Sequence, residues 1–99
     1  MKRVVMLRAM KSIYSPAYRA LLAWLRASRI QKKLSMRDVG LKMGTTHTWI
    51  GKVETGERRL DVTEYVRLCR TLGVAPAHGL AIVEAAMPKA KDSPRRGGG

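Results

Sequence analysis

The stretch LSMRDVGLKMGTTHTWIGKVETGERR, residues 34–59, decides how this chain folds. Apolar side chains recur in it at the spacing of two helices, Met36, Val39 and Met43 in the first and Ile50 and Val53 in the second. Ser35 can cap the first helix, and Gly44 closes it. After a turn of about three residues, the second helix starts near Thr46 and ends by Gly56. The stretch therefore predicts two short helices joined by a tight turn.

A longer helix is predicted upstream of this pair. Ser15 followed by Pro16 is a helix start signal, because serine caps a helix and proline fixes φ at its first position. The apolar positions that recur at roughly helical spacing are Tyr18, Leu21, Leu22, Leu25 and Ile30. We expect this first helix to run from Pro16 to about Lys32.

Two further helices are predicted downstream. The first opens at Asp61 or Val62 and stops at Gly73, a natural residue just beyond a helix end. Its apolar stripe comprises Val62, Tyr65, Val66, Cys69 and Leu72. The second opens at Pro76, and its apolar positions are Leu80, Ile82, Val83 and Met87. No segment alternates in the way that a strand requires.

These elements predict an all-α fold, a compact five-helix domain over residues 15–87. Residues 1–14 are expected to form a flexible basic arm, and a start site assigned too far upstream is the alternative explanation for them. Residues 88–99, PKAKDSPRRGGG, are expected to be a disordered basic tail. At 99 residues the chain can bury one modest core.

The chain is strongly basic. It carries 20 Lys and Arg against 7 Asp and Glu, a net charge of +13. Such an excess attracts polyanions, but it does not choose between DNA, RNA and an anionic membrane. The single cysteine, Cys69, excludes an intrachain disulfide. No apolar run approaches the length of a membrane span, so a cytoplasmic, nucleoid-associated protein is expected.

Enzymatic chemistry is not indicated. The acids are few and scattered, and neither paired carboxylates nor a phosphate-binding loop is present. Cys69 lies in an apolar stripe without a matched base, and His47 and His78 lack metal-ligand spacing. No cofactor and no metal are therefore expected. RNA binding is also disfavoured, because the sequence contains no Phe and offers no aromatic stacking platform.

Residue identities around the helix pair narrow the choice further. In the second helix of the pair and just after it, Ile50, Val53, Glu54 and Gly56 form the pattern Ile-x-x-Val-Glu-x-Gly. A Leu-Ser dipeptide that begins at Leu34 precedes the first helix of the pair. Leu25-Arg26 and Arg29 upstream, and Leu72-Gly73-Val74 downstream, add matches at fixed spacing. Over about residues 21–83 the sequence resembles the Cro/repressor (XRE-like) helix-turn-helix family, which includes the lambdoid phage repressors. The resemblance implies a lambda-repressor-like fold.

Two positions depart from the family pattern. Met36 replaces the Gln that often stands at the second residue of the second helix of the fold, so an amide contact to phosphate or base is lost. Lys33 replaces the Gly that often ends the first helix, which puts the shape of that connection in question.

The resemblance implies a regulator of transcription, most often a repressor, that reads the major groove of double-stranded DNA with the third helix. Carried over by position, the base-contacting side chains are Thr46, His47, Thr48 and Lys52, and Gly51 shares their face. Thr46 has two possible roles, as a helix cap or as a base contact.

Phosphate contacts are expected around these residues. They involve Lys42, Trp49, Arg58 and Arg59, together with backbone N–H groups near Ser35 and Met36, since a helix N-terminus attracts anions. Trp49 either packs across the turn with its N–H on a phosphate or simply completes the core. An ordinary solvated loop is the alternative for Arg58 and Arg59.

The resemblance also implies an ion pair between Arg29 and Glu54, beneath the residues expected to contact the DNA. A bidentate contact would fix the third helix against the first.

One recognition helix reads few base pairs, so a homodimer on a palindromic operator is expected, with half-sites roughly 34 Å apart. Its interface would use helix 4 or helix 5, and the alternative is that helix 5 only closes the core.

Two rival functions remain open. One is a protein-interaction module on the same fold with an unidentified partner, and the other is an amphipathic membrane binder that uses residues 1–33.

Overall fold

The computed structural model describes residues 15–88, which fold into five helices without a strand in that range. The helices are α1 Pro16–Gln31, α2 Met36–Met43, α3 His47–Thr55, α4 Val62–Leu72 and α5 Pro76–Ala86. This architecture confirms the all-α, five-helix expectation. The predicted basic arm, residues 1–14, and all of the predicted tail except Pro88 lie outside the described residues.

Local capping sets where the helices begin. The Ser15 hydroxyl accepts a hydrogen bond from the Tyr18 N–H at 3.2 Å, and Pro16 occupies the first turn of α1. The helix α4 begins with a capping box, in which Asp61 and Glu64 each accept the other's backbone N–H, at 2.7 and 3.0 Å. By contrast, α5 starts after Ala75 without a side-chain cap. Four of the five helices therefore begin at a capping side chain.

The core is built from side chains of α1, α2, α3 and α4, and α5 packs mainly against α1. Its most buried large side chains are Leu25, Val39, Ile50, Val53, Cys69 and Leu72. Burial raises the pKa of the Cys69 thiol and of the Tyr65 hydroxyl, which donates to the Pro76 carbonyl at 2.6 Å. Tyr65, Cys69 and Leu72 are thus core residues, as their place in the apolar stripe indicates.

Several apolar residues predicted to face the core are exposed. Ile30 is 51% exposed, because Arg29 takes the inward position of the last turn of α1. Val62, the first residue of α4, is 79% exposed, whereas Leu68, further along the same helix, is buried although it was not predicted to be. On α5, Leu80 and Met87 lie on the surface, and Gly79 is the buried residue of that helix. Apolar spacing alone therefore overstated the buried faces of these three helices.

Two glycines allow close packing between helices, and Gly40 lies next to the turn. A Cβ on Gly40 would lie 2.9 Å from the Thr46 carbonyl carbon and 3.2 Å from the His47 nitrogen, so α2 rests directly on the backbone that opens α3. A Cβ on Gly79 would overlap the Tyr65 hydroxyl and the Trp24 ring. Gly40 thereby fixes how closely the two helices of the pair approach.

The connection after α1 keeps the shape that glycine would give it. Lys33 adopts φ 60°, the left-handed region that non-glycine residues rarely enter. The Leu34 N–H then donates to the Arg29 carbonyl at 3.1 Å, and Arg29 Nη1 donates to the Leu34 carbonyl at 2.9 Å. Lysine at this position therefore makes the connection conformationally less favourable than glycine would, although the backbone adopts a conformation that glycine also adopts.

Candidate nucleic-acid interface

One side of α3 carries mostly exposed polar residues. With about 100° between successive helical residues, His47, Thr48 and Lys52 share a face opposite Ile50 and Val53. The first three are exposed, and the last two are each 1% exposed. Gly51 lies on the same outward face, half-buried against Met36. The buried side thus anchors α3 and leaves a polar side available to a ligand.

Thr46 caps this helix. Its hydroxyl accepts a hydrogen bond from the Trp49 N–H at 3.1 Å, with extended backbone at φ −115°. The capping alternative is therefore present in the structure. Thr46 is nevertheless exposed, and its hydroxyl hydrogen can still be donated to an acceptor outside the protein.

Thr55 completes the outward face, and the sequence analysis missed it. It is exposed at the last residue of α3, two turns beyond His47, and its hydroxyl donates to the Lys52 carbonyl at 3.2 Å. Extending the helical spacing of His47 and Gly51 by one more turn would have identified it. The hydroxyl oxygen faces solvent as an acceptor.

The start of α2 differs from expectation. The Ser35 N–H was expected to hold a phosphate, but it donates to Asp38 Oδ2 at 2.8 Å, while the Ser35 hydroxyl accepts from the Asp38 N–H at 2.9 Å. These hydrogen bonds hold the pKa of Asp38 below its usual range. A charged carboxylate therefore already accepts from that donor within the protein, and the phosphate contact near Ser35 remains a prediction. The S-x-x-D spacing in the sequence is a signal that could have revealed this hydrogen bond.

The neighbouring backbone donors have no such competitor. The first intrahelical bond of α2 joins the Val39 N–H to the Ser35 carbonyl, so the N–H groups of Met36 and Arg37 precede the helical ladder. The Met36 side chain packs inward against the core, with its sulfur 3.6 Å from the position of a Cβ on Gly51. Met36 thus offers its backbone to a ligand, and its side chain joins α2 to α3.

Arg58 contacts two partners within the protein. Its Nη2 lies 2.7 Å from Glu64 Oε2, and its guanidinium carbon lies 5.5 Å from the centre of the Trp49 ring. Trp49 is half-buried and packs against the core. The sequence analysis did not assign Glu64 as the partner of Arg58, because their contact depends on the path of the loop between α3 and α4.

Arg59 packs on the other side of the same loop. Its guanidinium carbon lies 5.4 Å from the centre of the Tyr18 ring, whose hydroxyl accepts from the Leu60 N–H at 3.2 Å. Both arginines are exposed, as are Lys42 on α2 and Lys52 on α3. The loop therefore presents two guanidinium groups that aromatic rings support from one side.

A buried acid lies beneath this surface. Glu54 projects from the inner side of α3, and its side chain is 7% exposed. Arg29 meets it with two hydrogen bonds, and Arg26 Nε lies 3.7 Å from its Oε1. The pair that the resemblance implies is thus present in the structure, and Arg26 is an additional partner that the sequence analysis did not assign.

One hydrogen bond from α4 stabilises the turn between α2 and α3. Arg67, on α4, donates from Nη2 to the Met43 carbonyl at 2.8 Å, at the C-terminal end of α2. This bond satisfies a carbonyl that the helix leaves open. It was not predicted, since nothing in the sequence brings α4 beside the end of α2.

Other kinds of site are not seen in this part of the chain. Residues 15–88 contain no group of His, Cys, Asp and Glu side chains that could hold a metal ion. Among the helices described here, none is both long and apolar enough to cross a membrane.

Comparisons with known proteins place this arrangement in a family. A model of the helix-turn-helix domain matches residues 19–80. The chain is similar to the solved structure of an XRE-family like protein from Pseudomonas syringae pv. tomato str. DC3000, with 34% sequence identity and a TM-score of 0.70. The similarity covers 81% of this chain and 98% of that one. No curated protein matches the sequence. The chain belongs to the helix-turn-helix domain family, a family of DNA-binding regulators, and is of the XRE type.

Proposed function

We propose that this protein is a sequence-specific regulator of transcription that reads the major groove of double-stranded DNA with α3. The observation that carries the proposal is the outward face of α3, where His47, Thr48 and Lys52 are exposed while the opposite face is locked in the core. A rigid helix with a polar outer face matches the width of the major groove.

Each of these side chains has a suitable base partner. Threonine hydroxyls bind base edges or contact a thymine methyl, His47 can donate to or accept from a purine, and Lys52 can reach guanine O6 or N7. Thr46 contributes through the hydroxyl hydrogen that its capping bond leaves available. Each good base contact gives about 1–3 kcal/mol of discrimination.

Phosphates on either side of the groove would be held by two groups of donors. On one side are the N–H groups at the start of α2, and on the other the arginines of the loop after α3. Because Arg58 is supported by Glu64 and Trp49, and Arg59 by Tyr18, both guanidinium groups are held in place before DNA binds. Lys42 and the indole N–H of Trp49 are further candidates. Such contacts fix the register of the protein on the duplex.

A homodimer is the proposed active form, and α5 is the proposed interface. Leu80 is 57% exposed and Met87 is 54% exposed, next to the half-buried Ile82 and Val83. A symmetric pair of recognition helices would read a palindromic operator with half-sites about 34 Å apart. Bound at a promoter, such a dimer would repress transcription by excluding the polymerase.

In vitro selection of bound sequences from a random DNA pool tests this function. We expect a palindromic motif to be enriched. A variant with His47→Ala and Thr48→Ala serves as a matched control, because both side chains are exposed and their loss leaves the core intact. Enrichment of the same motif by the control would show that α3 is not the reader. Failure of the wild-type protein to enrich any motif, with capture of a protein partner instead, would favour an interaction module on this fold.

A further inference from the structure

We propose that Arg19 and Arg26, on the exposed side of α1, form an additional binding site for a backbone phosphate of the DNA that α3 contacts. The inference rests on the proposed DNA-binding function and extends its footprint onto α1. The site is an open hollow of about 310 Å³ between α1 and the C-terminal end of α3. It is lined by Arg19, Leu22, Ala23, Arg26, Glu54, Thr55 and Gly56.

The hollow continues the outward face of α3. Thr55 belongs to that face and also lines the hollow, so the two surfaces meet at one residue. A DNA strand that passes along α3 therefore reaches the hollow when it runs beyond the end of the helix. This continuity favours a phosphate of the bound DNA over an unrelated anion.

The charges in the hollow favour an anion. Arg19 is exposed, and no described residue lies within ion-pair distance of its guanidinium group. The side chain of Arg26 is 61% exposed, and its Nε lies 3.7 Å from Glu54 Oε1, longer than a direct hydrogen bond. Both guanidinium groups can therefore turn donors toward a phosphate.

The acid in the hollow does not cancel this potential. Glu54 is only 7% exposed at its side chain, and Arg29 contacts both of its carboxylate oxygens, at 2.6 and 3.1 Å. That bidentate pair neutralises the carboxylate, so the charge of Arg19 and most of the charge of Arg26 remain for a ligand.

The spacing of the two arginines suits one phosphate group. They are seven residues apart, which places their Cα atoms about 10 Å apart along α1 on the same side of the helix. Long side chains that approach from both ends of the hollow can bring two guanidinium groups to the same phosphodiester. Arginine suits this role because its planar fork matches phosphate geometry.

The test compares Arg19→Gln with Arg70→Gln. Both remove one exposed arginine from a helix, but Arg70 lies on the solvent side of α4. Affinity for a duplex carrying the selected motif is measured between 50 and 200 mM salt, so that the slope of log K against log salt is obtained. We expect Arg19→Gln to flatten that slope by about 0.9 and to weaken binding by about three- to ten-fold at 0.1 M salt. Arg70→Gln should leave the slope unchanged.

A second measurement locates the phosphate. Duplexes in which single phosphates are replaced by neutral methylphosphonates are titrated with the wild-type protein and with Arg19→Gln. We expect one flanking replacement to weaken the wild type but not the variant. Equal slopes for Arg19→Gln and Arg70→Gln, with normal DNA binding by the wild type, would overturn this inference alone. Absence of DNA binding by the wild type would instead overturn the proposed function.

Discussion

Arg29 and Glu54 join the first and third helices through two parallel hydrogen bonds, 2.6 Å from Nε to Oε2 and 3.1 Å from Nη2 to Oε1. The same guanidinium also donates to the Leu34 carbonyl at 2.9 Å, in the connection that leads to α2. One side chain therefore links α1, α3 and the entry to α2. Since the proposed entry of α3 into the major groove requires a fixed geometry of these parts, we propose a registration role for this pair.

Glu54→Gln should lower both stability and DNA affinity. The substitution leaves the Arg29 guanidinium, 11% exposed at its side chain, without its counter-charge. Removal of one partner of a buried pair costs about 3 kcal/mol or more. Urea unfolding and DNA titration measure the two effects, the second under conditions in which the variant is folded. Glu84→Gln makes the same charge change at an exposed position of α5 and should leave the free energy of unfolding unchanged. Unchanged stability and affinity in Glu54→Gln would refute the registration role.

Lys33→Gly should stabilise the fold by about 1 kcal/mol, because glycine adopts positive φ without the steric penalty that lysine incurs. Lys32→Gly is the matched control. It removes the same charge one residue earlier, where φ is −81° and glycine brings no conformational advantage. Urea unfolding of both variants checks the prediction. A midpoint for Lys33→Gly no higher than that for Lys32→Gly would show that the left-handed conformation costs nothing here.

Thr48→Ala should change the preferred base at one position of each half-site. Thr48 is exposed on the outward face of α3, so its loss removes a base contact of about 1–3 kcal/mol while the core is untouched. Selection from a random pool with the variant measures the change. If the recovered motif keeps every position of the wild-type motif, Thr48 does not contact a base.

Arg59→Ala should weaken binding to all sequences by a similar factor. Phosphate contacts carry no base information, and the loss of one reduces the salt slope by about 1. Titrations of several duplexes across a range of salt concentrations check this expectation. Thermal unfolding is measured in parallel, since Arg59 also packs over Tyr18. Unequal losses among duplexes would place Arg59 at a base edge instead.

Leu80→Asp should convert the proposed dimer to a monomer. Burial of one leucine side chain contributes about 1.5–3 kcal/mol, so its replacement by a charge should weaken association at least about ten-fold per subunit. Sedimentation equilibrium over a range of concentrations measures the change. Leu41→Asp introduces the same charge at an exposed leucine of α2, 74% exposed, and should leave association unchanged. Equal association constants for the two variants would exclude α5 as the interface.

Much of the fold could be predicted because it depends on short-range rules. Ser15, Pro16 and Gly73 act within a single turn, so their effects on helix ends follow from the local sequence. The inward positions of α3 follow from a helical period that Ile50 and Val53 share. The resemblance to a known family then identified the outward face and the pairing of Arg29 with Glu54.

Burial was predicted less well, because periodicity does not show where a neighbouring element ends. Ile30 and Val62 have apolar side chains in helical register, yet Arg29 takes the inward position beside Ile30, and Val62 lies at the exposed first residue of α4. Leu80 and Met87 are exposed for a related reason, since α5 packs on α1 through Gly79 and its outer side meets no helix among the described residues.

The sequence by itself determined five helices, approximately where they begin and end, and the tight turn between α2 and α3. These follow from local hydrogen bonding and helical period, which act over a few residues. Only the tertiary structure decided which partners the charged groups found. Glu64 reaches Arg58, Arg67 reaches the Met43 carbonyl, and Arg26 lies beside Glu54. The last two contacts depend on how helices cross in space, because residues distant in the chain become neighbours only after packing, and the first depends on the path of the loop between α3 and α4.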